Sequence, residues 1–177
     1  STEREALLGR RISDIGLAIA GTRVERLVAE LYRELEAKGI RFRPPVYLSD
    51  QWGCPDETPL IGVPFYLADE RLERIEAEMA GGVEDDHEAL RYLRHEAGHA
   101  IDNAFKLRLR RQRREVFGSP SVPYPEFYTP RPYSKSFVLH LDAWYAQSHP
   151  DEDFAETFAV WLTPNSEWRQ RYAGWPA

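Results

Sequence analysis

His95-Glu96-Ala97-Gly98-His99 sets two imidazoles four residues apart, with a glutamate directly after the first. On an α-helix that step is one turn plus about 40°, so both rings leave the same face and can share one metal ion. Glu96 is rotated about 100° from His95, beside the metal rather than under it. A general base belongs there, because a carboxylate can take a proton from a metal-bound water whose pKa the ion lowers to about 7. The pentad encodes two zinc ligands and a base. A surface helix carrying two solvated histidines is the competing reading, and a third ligand decides between them.

The flanking residues predict the helix that the pentad needs. Asp85 or Asp86 is placed to cap it, with Glu88 three residues beyond Asp85, and Leu90, Leu93, Ala97, Ile101 and Ala104 form an apolar stripe running to Phe105. Farther on, Ser148, His149 or Pro150 opens a second helix over about 151–162, ended by Thr163-Pro164. Its apolar residues Ala155, Phe158, Ala159 and Leu162 put one side of it in the core. A carboxylate buried there is costly unless it binds a cation or is hydrogen-bonded. Glu152 therefore reads as the third ligand, leaving the fourth position for water as in catalytic rather than structural zinc sites. Glu156, one turn along, is placed to accept the N–H of a ligating imidazole.

With these residues in hand, the sequence resembles the gluzincin metallopeptidases, in which two His and a downstream Glu bind zinc. It is more closely similar to the anthrax lethal factor and Mlc titration factor A type. There a Gly precedes the second His, the Glu ligand lies in a Glu-x-Phe-Ala-Glu-like segment, and a tyrosine stands seven residues upstream. Gly98, the segment Glu152-Asp153-Phe154-Ala155-Glu156 and Tyr145 match that pattern. The run from Tyr145 to Ala159 also resembles a bacterial family of zinc-binding metallopeptidases. The likeness spans roughly 86–163. It implies that His95, His99 and Glu152 hold one zinc ion, that Glu96 is the base, and that Tyr145 donates a hydrogen bond to the oxyanion of the tetrahedral intermediate. A packed aromatic beside Trp144 is the other reading of Tyr145. His149 can take the same role if it faces inward, His140 less readily, and Asp102 reads as a support for the ligands or as a solvated helix residue. A metzincin needs a third histidine at position 105, which is Phe105. An aspzincin uses an aspartate three before a tyrosine, which keeps Asp142 as a minor alternative to Glu152.

Outside this core the chain is less specific. Its 177 residues, 42% hydrophobic and 29% charged, describe one ordinary globular domain. No apolar run approaches the roughly 20 residues that cross a bilayer, and the polar start Ser1-Thr2-Glu3-Arg4-Glu5 has no secretory core, which points to a cytoplasmic protein with no membrane partner. A net charge of −6 argues against a nucleic-acid partner. The basic run Arg108 to Arg114 reads as a solvated helix end, with an anion or partner site as the rarer use. Cys54 has no disulfide partner; it is either a small buried hydrophobe or a thiolate that caps the zinc and holds the site latent. The aromatic ending Gly174-Trp175-Pro176-Ala177 suits a piece of a longer protein.

In the N-terminal half, Thr2 with Glu5 and Thr22 with Glu25 have capping-box spacing. The second pair opens a helix whose stripe Val24, Leu27, Val28, Leu31, Leu35 runs to Gly39. Residues 17–19 and 46–48 read as short strands. Residues 60–67 read as an edge strand interrupted by Pro64, either blunted against aggregation or open to an extended peptide. A helix from Glu70 to Met79 stops at Gly81-Gly82. Residues 118–136 carry five prolines among aromatics and read as an ordered loop walling a cleft. An apolar segment over 137–145 reads as helical. Taken with the resemblance, these features predict an α+β, zincin-like single domain over 1–177 in two lobes. The N-terminal lobe, about 1–105, holds a small twisted sheet with backing and active-site helices; the mainly helical C-terminal lobe, about 106–177, supplies Glu152. The expected activity is hydrolysis of peptide or protein substrates by Glu-activated, metal-bound water. The alternative is a zinc-binding regulatory or interaction protein with little or no proteolysis.

Overall fold

The computed structural model describes residues 2–176, the side chain of Thr2 excepted. The Thr2 half of the first capping-box pair therefore lies outside the described residues. The chain folds into helices α1 (Thr2–Leu8), α2 (Arg23–Ala37), α3 (Glu70–Ala80), α4 (Asp86–Phe105), α5 (Arg111–Phe117), α6 (Pro150–Leu162) and α7 (Trp168–Arg171) and one small sheet of β1 (Val46–Ser49) and β2 (Ile61–Pro64). The content is mainly helical with a parallel strand pair, Val46 opposite Ile61, and is compatible with an α+β class. None of the described helices is long and apolar enough to cross a membrane.

The core forms where the apolar stripes of α2 and α4 meet β2. Val24, Leu27, Leu31 and Leu35 from α2 pack with Ile61, Val63, Leu93, Ala97 and Ile101, all nearly or fully excluded from water. A buried ion pair accompanies this packing: Arg94 donates through Nε (2.8 Å) and Nη2 (2.6 Å) to the two oxygens of Glu34. Bidentate geometry is what makes two buried charges tolerable.

Four expectations need correcting. Residues 17–19 form no strand; they approach α2 through a turn in which Thr22 Oγ1 donates to Ile19 O (2.6 Å) and Glu25 accepts from Gly21 N (2.8 Å). The Thr22 hydroxyl thus serves the preceding turn instead of capping the helix. The strand at 60–67 shortens to 61–64; it lies at the edge of a two-stranded sheet as expected, but its outer side is not free throughout. Its residues are all buried, β1 flanks one side, and Gly62 exchanges hydrogen bonds with Gly53 on the other (3.2 and 2.7 Å). An added peptide strand has no open ladder at Gly62. Finally, 137–145 is not an α-helix. Only a 3₁₀ stretch over Asp142–Gln147 forms, with Ala143 and Trp144 at positive φ. Tertiary bonds claim the groups that a helix would use, since Leu139 N donates to Tyr172 Oη (3.1 Å) and Leu141 N to Glu156 Oε1 (2.9 Å).

Caps hold in place the two helices that carry the pentad and Glu152. Asp85 accepts from Glu88 N (2.8 Å) at the start of α4, as its spacing predicts. His149 caps α6: its Nδ1 accepts from Asp151 N (3.0 Å) while Nε2 donates to Val122 O (2.6 Å). The two helices cross in direct contact at Gly98 and Ala155.

Candidate metal centre

His95 and His99 leave α4 one turn apart, and Glu152 and Glu156 leave α6 one turn apart, on the sides of the two helices that face each other. His95 Nε2, His99 Nε2 and Glu152 Oε2 form a triangle with sides of 2.9, 3.1 and 3.1 Å. Neighbouring ligand atoms of a tetrahedral zinc with bonds of about 2.0–2.1 Å are about 3.3 Å apart, so the triangle fits such an ion closely. The donor chemistry fits as well. Glu156 Oε2 lies 3.0 Å from His95 Nδ1, the partner expected for an imidazole N–H. With its proton on Nδ1, His95 presents a lone pair at Nε2 to a second imidazole nitrogen and a carboxylate oxygen, and three electron-rich atoms in contact call for a cation.

The electrostatics agree. Burial opposes charge on His95, but carboxylates at both ring nitrogens outweigh it and raise its affinity for positive charge. Burial likewise pushes the Glu152 carboxyl up, yet the two histidines hold it well below the ordinary range. Glu156 is fully buried and spends its other oxygen on Leu141 N.

Glu96 is buried beside the triangle and makes no hydrogen bond among the described residues. Burial raises its pKa, partly offset by His95 and His99. A carboxylate held with a raised proton affinity next to a cation site is suited to accept and return a proton. Tyr145 lines the same cavity of about 470 Å³, its ring 5.6 Å from that of His95, and its hydroxyl has no partner among the described residues.

The remaining candidates sort clearly. His149 is committed to capping α6 and to Val122 O, and His140 Nε2 donates to Arg91 O (2.9 Å), so neither ring is free to face the triangle. Asp142 lines the cavity mouth with its side chain 96% exposed, and no oxygen of it joins the donor triangle. Cys54 also lines the cavity. Its thiol donates to Thr58 O (3.3 Å) and receives Asn103 Nδ2 (3.7 Å), and burial pushes its pKa up to about 12. Asp102 is buried and paired with Arg113 (2.8 Å), which also reaches Asp151 (2.7 Å). Arg113 is therefore an internal brace linking α4, α5 and α6, an exception in a basic run whose Arg110, Arg111 and Arg114 are exposed as expected.

One site residue escaped the sequence reading. Tyr124, in the proline-rich loop, donates to Glu152 Oε1 (2.9 Å) and stacks on the His149 ring with centroids 3.7 Å apart. The density of prolines and aromatics marked an ordered loop, but nothing in the local pattern singled out Tyr124 among four tyrosines and phenylalanines.

With the geometry established, comparison with known proteins adds one finding. A family model described as "Putative zinc-binding metallo-peptidase" matches residues 68–168. The chain belongs to that family. The matched segment contains α4, α6, the loop between them and therefore every residue of the triangle, with Glu96, Tyr124, Tyr145 and Glu156. No curated protein and no solved structure gave a match.

Proposed function

We propose that this chain is a zinc-dependent peptidase of the gluzincin kind, a zincin-like domain in which His95, His99 and Glu152 hold one ion in a cleft between an N-terminal and a helical C-terminal lobe. The observation that carries this reading is the triangle of two imidazole nitrogens and a carboxylate oxygen, 2.9–3.1 Å on each side, with the buried Glu96 beside it. Its match to the pattern of the lethal factor and Mlc titration factor A type supports the same reading. Zinc bound there supplies a Lewis acid that polarises the scissile carbonyl and acidifies water.

The chain's own residues do the rest. Glu96 takes the proton of the attacking water and hands it to the departing amine nitrogen, so that water is split across the C–N bond and the base is regenerated. The Tyr145 hydroxyl, otherwise unpartnered, donates to the oxyanion as charge develops on it. Glu156 holds the His95 ring in the tautomer that turns Nε2 toward the ion, and Tyr124 fixes the second oxygen of Glu152.

The test combines metal analysis with product detection on a broad peptide library. Wild type is expected to carry zinc and cleave; Glu96→Gln to keep zinc and lose at least about a hundredfold in rate; Glu152→Ala to lose zinc. Zinc without any product from wild type would assign the chain to metal-dependent recognition instead. Full activity in Glu96→Gln would remove the base from its role.

A further inference from the structure

Behind the segment that carries Leu141 and Asp142 lies a second cavity, of about 590 Å³, which shares those two residues with the metal-centre cavity. The two differ in charge. The metal-centre cavity is lined by seven carboxylates and one guanidinium, Arg108. The second is lined by three guanidinium groups, Arg91, Arg94 and Arg171, with His87, His140 and a single carboxylate, Asp142. In a chain of net charge −6 such a concentration of cations is a local exception.

The arginines have donors to spare. Arg94 is buried and gives Nε and Nη2 to Glu34, while its Nη1 makes no hydrogen bond among the described residues. Arg91 gives Nη2 to His140 O, and its nearest carboxylate oxygen, from Asp142, is 3.9 Å away on a side chain that is 96% exposed. Arg171, at the end of α7, has no ion pair among the described residues. His140 adds little positive charge, because burial lowers its pKa; its Nε2 donates to Arg91 O.

We infer that this second cavity is an oxyanion site, binding a phosphate or carboxylate group through Arg91, Arg94 Nη1 and Arg171. Planar guanidinium forks match the geometry of such groups, and the buried Arg94 and part-buried Arg91 are screened by salt less than surface charges. The shared wall suggests two sources for the anion: an acidic or phosphorylated side chain of a peptide lying across the metal centre, or a free oxyanion. The site itself does not depend on whether the centre cleaves peptides.

Calorimetric titration of inorganic phosphate into the zinc-loaded protein at constant ionic strength tests it. Wild type is expected to bind phosphate at one site, and the double variant Arg91→Gln/Arg171→Gln to bind about tenfold or more weakly with unchanged zinc content. Arg171→Gln alone, at an exposed side chain, is expected to show a smaller loss, which separates the effect from misfolding. Glu152→Ala, which removes the ion, is expected to retain phosphate binding. Absence of binding in wild type, equal affinity in both arginine variants, or binding that disappears only with the zinc overturns the assignment. Competition by an aspartate-containing peptide but not by its asparagine counterpart assigns the site to a substrate side chain. Lack of competition by either assigns it to a free anion, and both results uphold an oxyanion site.

Discussion

A Cβ built on Gly98 would lie 2.8 Å from Cα of Ala155 and 3.1 Å from its carbonyl oxygen. Helices α4 and α6 thus meet backbone to backbone at this pair, and the site is arranged around it. His95 and His99 stand three before and one after Gly98; Glu152 and Glu156 stand three before and one after Ala155. The contact that brings the helices together also brings the histidine pair opposite the carboxylate pair.

Gly98→Ala is therefore expected to act on the metal before it acts on the fold. The added methyl meets main-chain atoms that cannot rotate away, so α6 has to retreat at a cost of about 1–3 kcal/mol. Chemical denaturation measures that loss. A chelator competition should show weakened zinc affinity in protein that is still folded, and unchanged affinity would mean that the crossing does not set the ligand spacing.

Tyr124→Phe removes only the hydroxyl that holds Glu152 Oε1, while the ring can still stack on His149. Zinc affinity should fall by about tenfold or more with little change in melting temperature, because a lost partner of a ligating carboxylate affects the ion more than the packing. Competition against a zinc chelator reads the first quantity and a thermal melt the second.

Arg113→Met leaves the buried Asp102 without its cationic partner and Asp151 with Arg108 alone (3.3 Å). Removing one member of a buried charge cluster typically costs about 3–5 kcal/mol. Urea unfolding should show a loss of that order. A loss below about 1 kcal/mol would return Arg113 to the class of weak surface pairs.

Cys54 tests latency. Burial first, then the nearby Glu96 charge, pushes its pKa up to about 12, so at pH 8 the native thiol stays protonated and should alkylate far more slowly than in guanidinium. The sign for stability follows. In the unfolded chain the thiol ionises near pH 8.5, so the native state's advantage is complete below that value and declines as pH rises toward 12. Fast native alkylation that zinc prevents would instead show a thiolate able to reach the ion.

Much of the architecture could be read locally. The α2 stripe, the Asp85 cap, the stop at Gly81 and the extents of α4 and α6 all follow from period, capping and glycine preference, and the structure has them. Elsewhere the local signal was overruled by distant partners. Residues 137–145 have helical composition, but their amides and rings bond to Glu156, Tyr172 and Arg91. Residues 60–67 supply an edge strand only over 61–64, and Gly53 occupies its outer side at Gly62. Arg113 sits in a run that looks solvated, yet two carboxylates from other helices draw it inward.

The sequence by itself determined the pentad on one helix, the carboxylate pair on another, and hence the chemistry available to them, because spacing along a helix is a local property of the backbone. That these two helices face each other, that Glu152 comes within 3.1 Å of both imidazoles, and that Tyr124 donates to Glu152 while His149 turns away to cap α6 are decisions of the tertiary structure. They depend on a close approach that only a glycine at position 98 permits, between residues more than fifty positions apart in the chain.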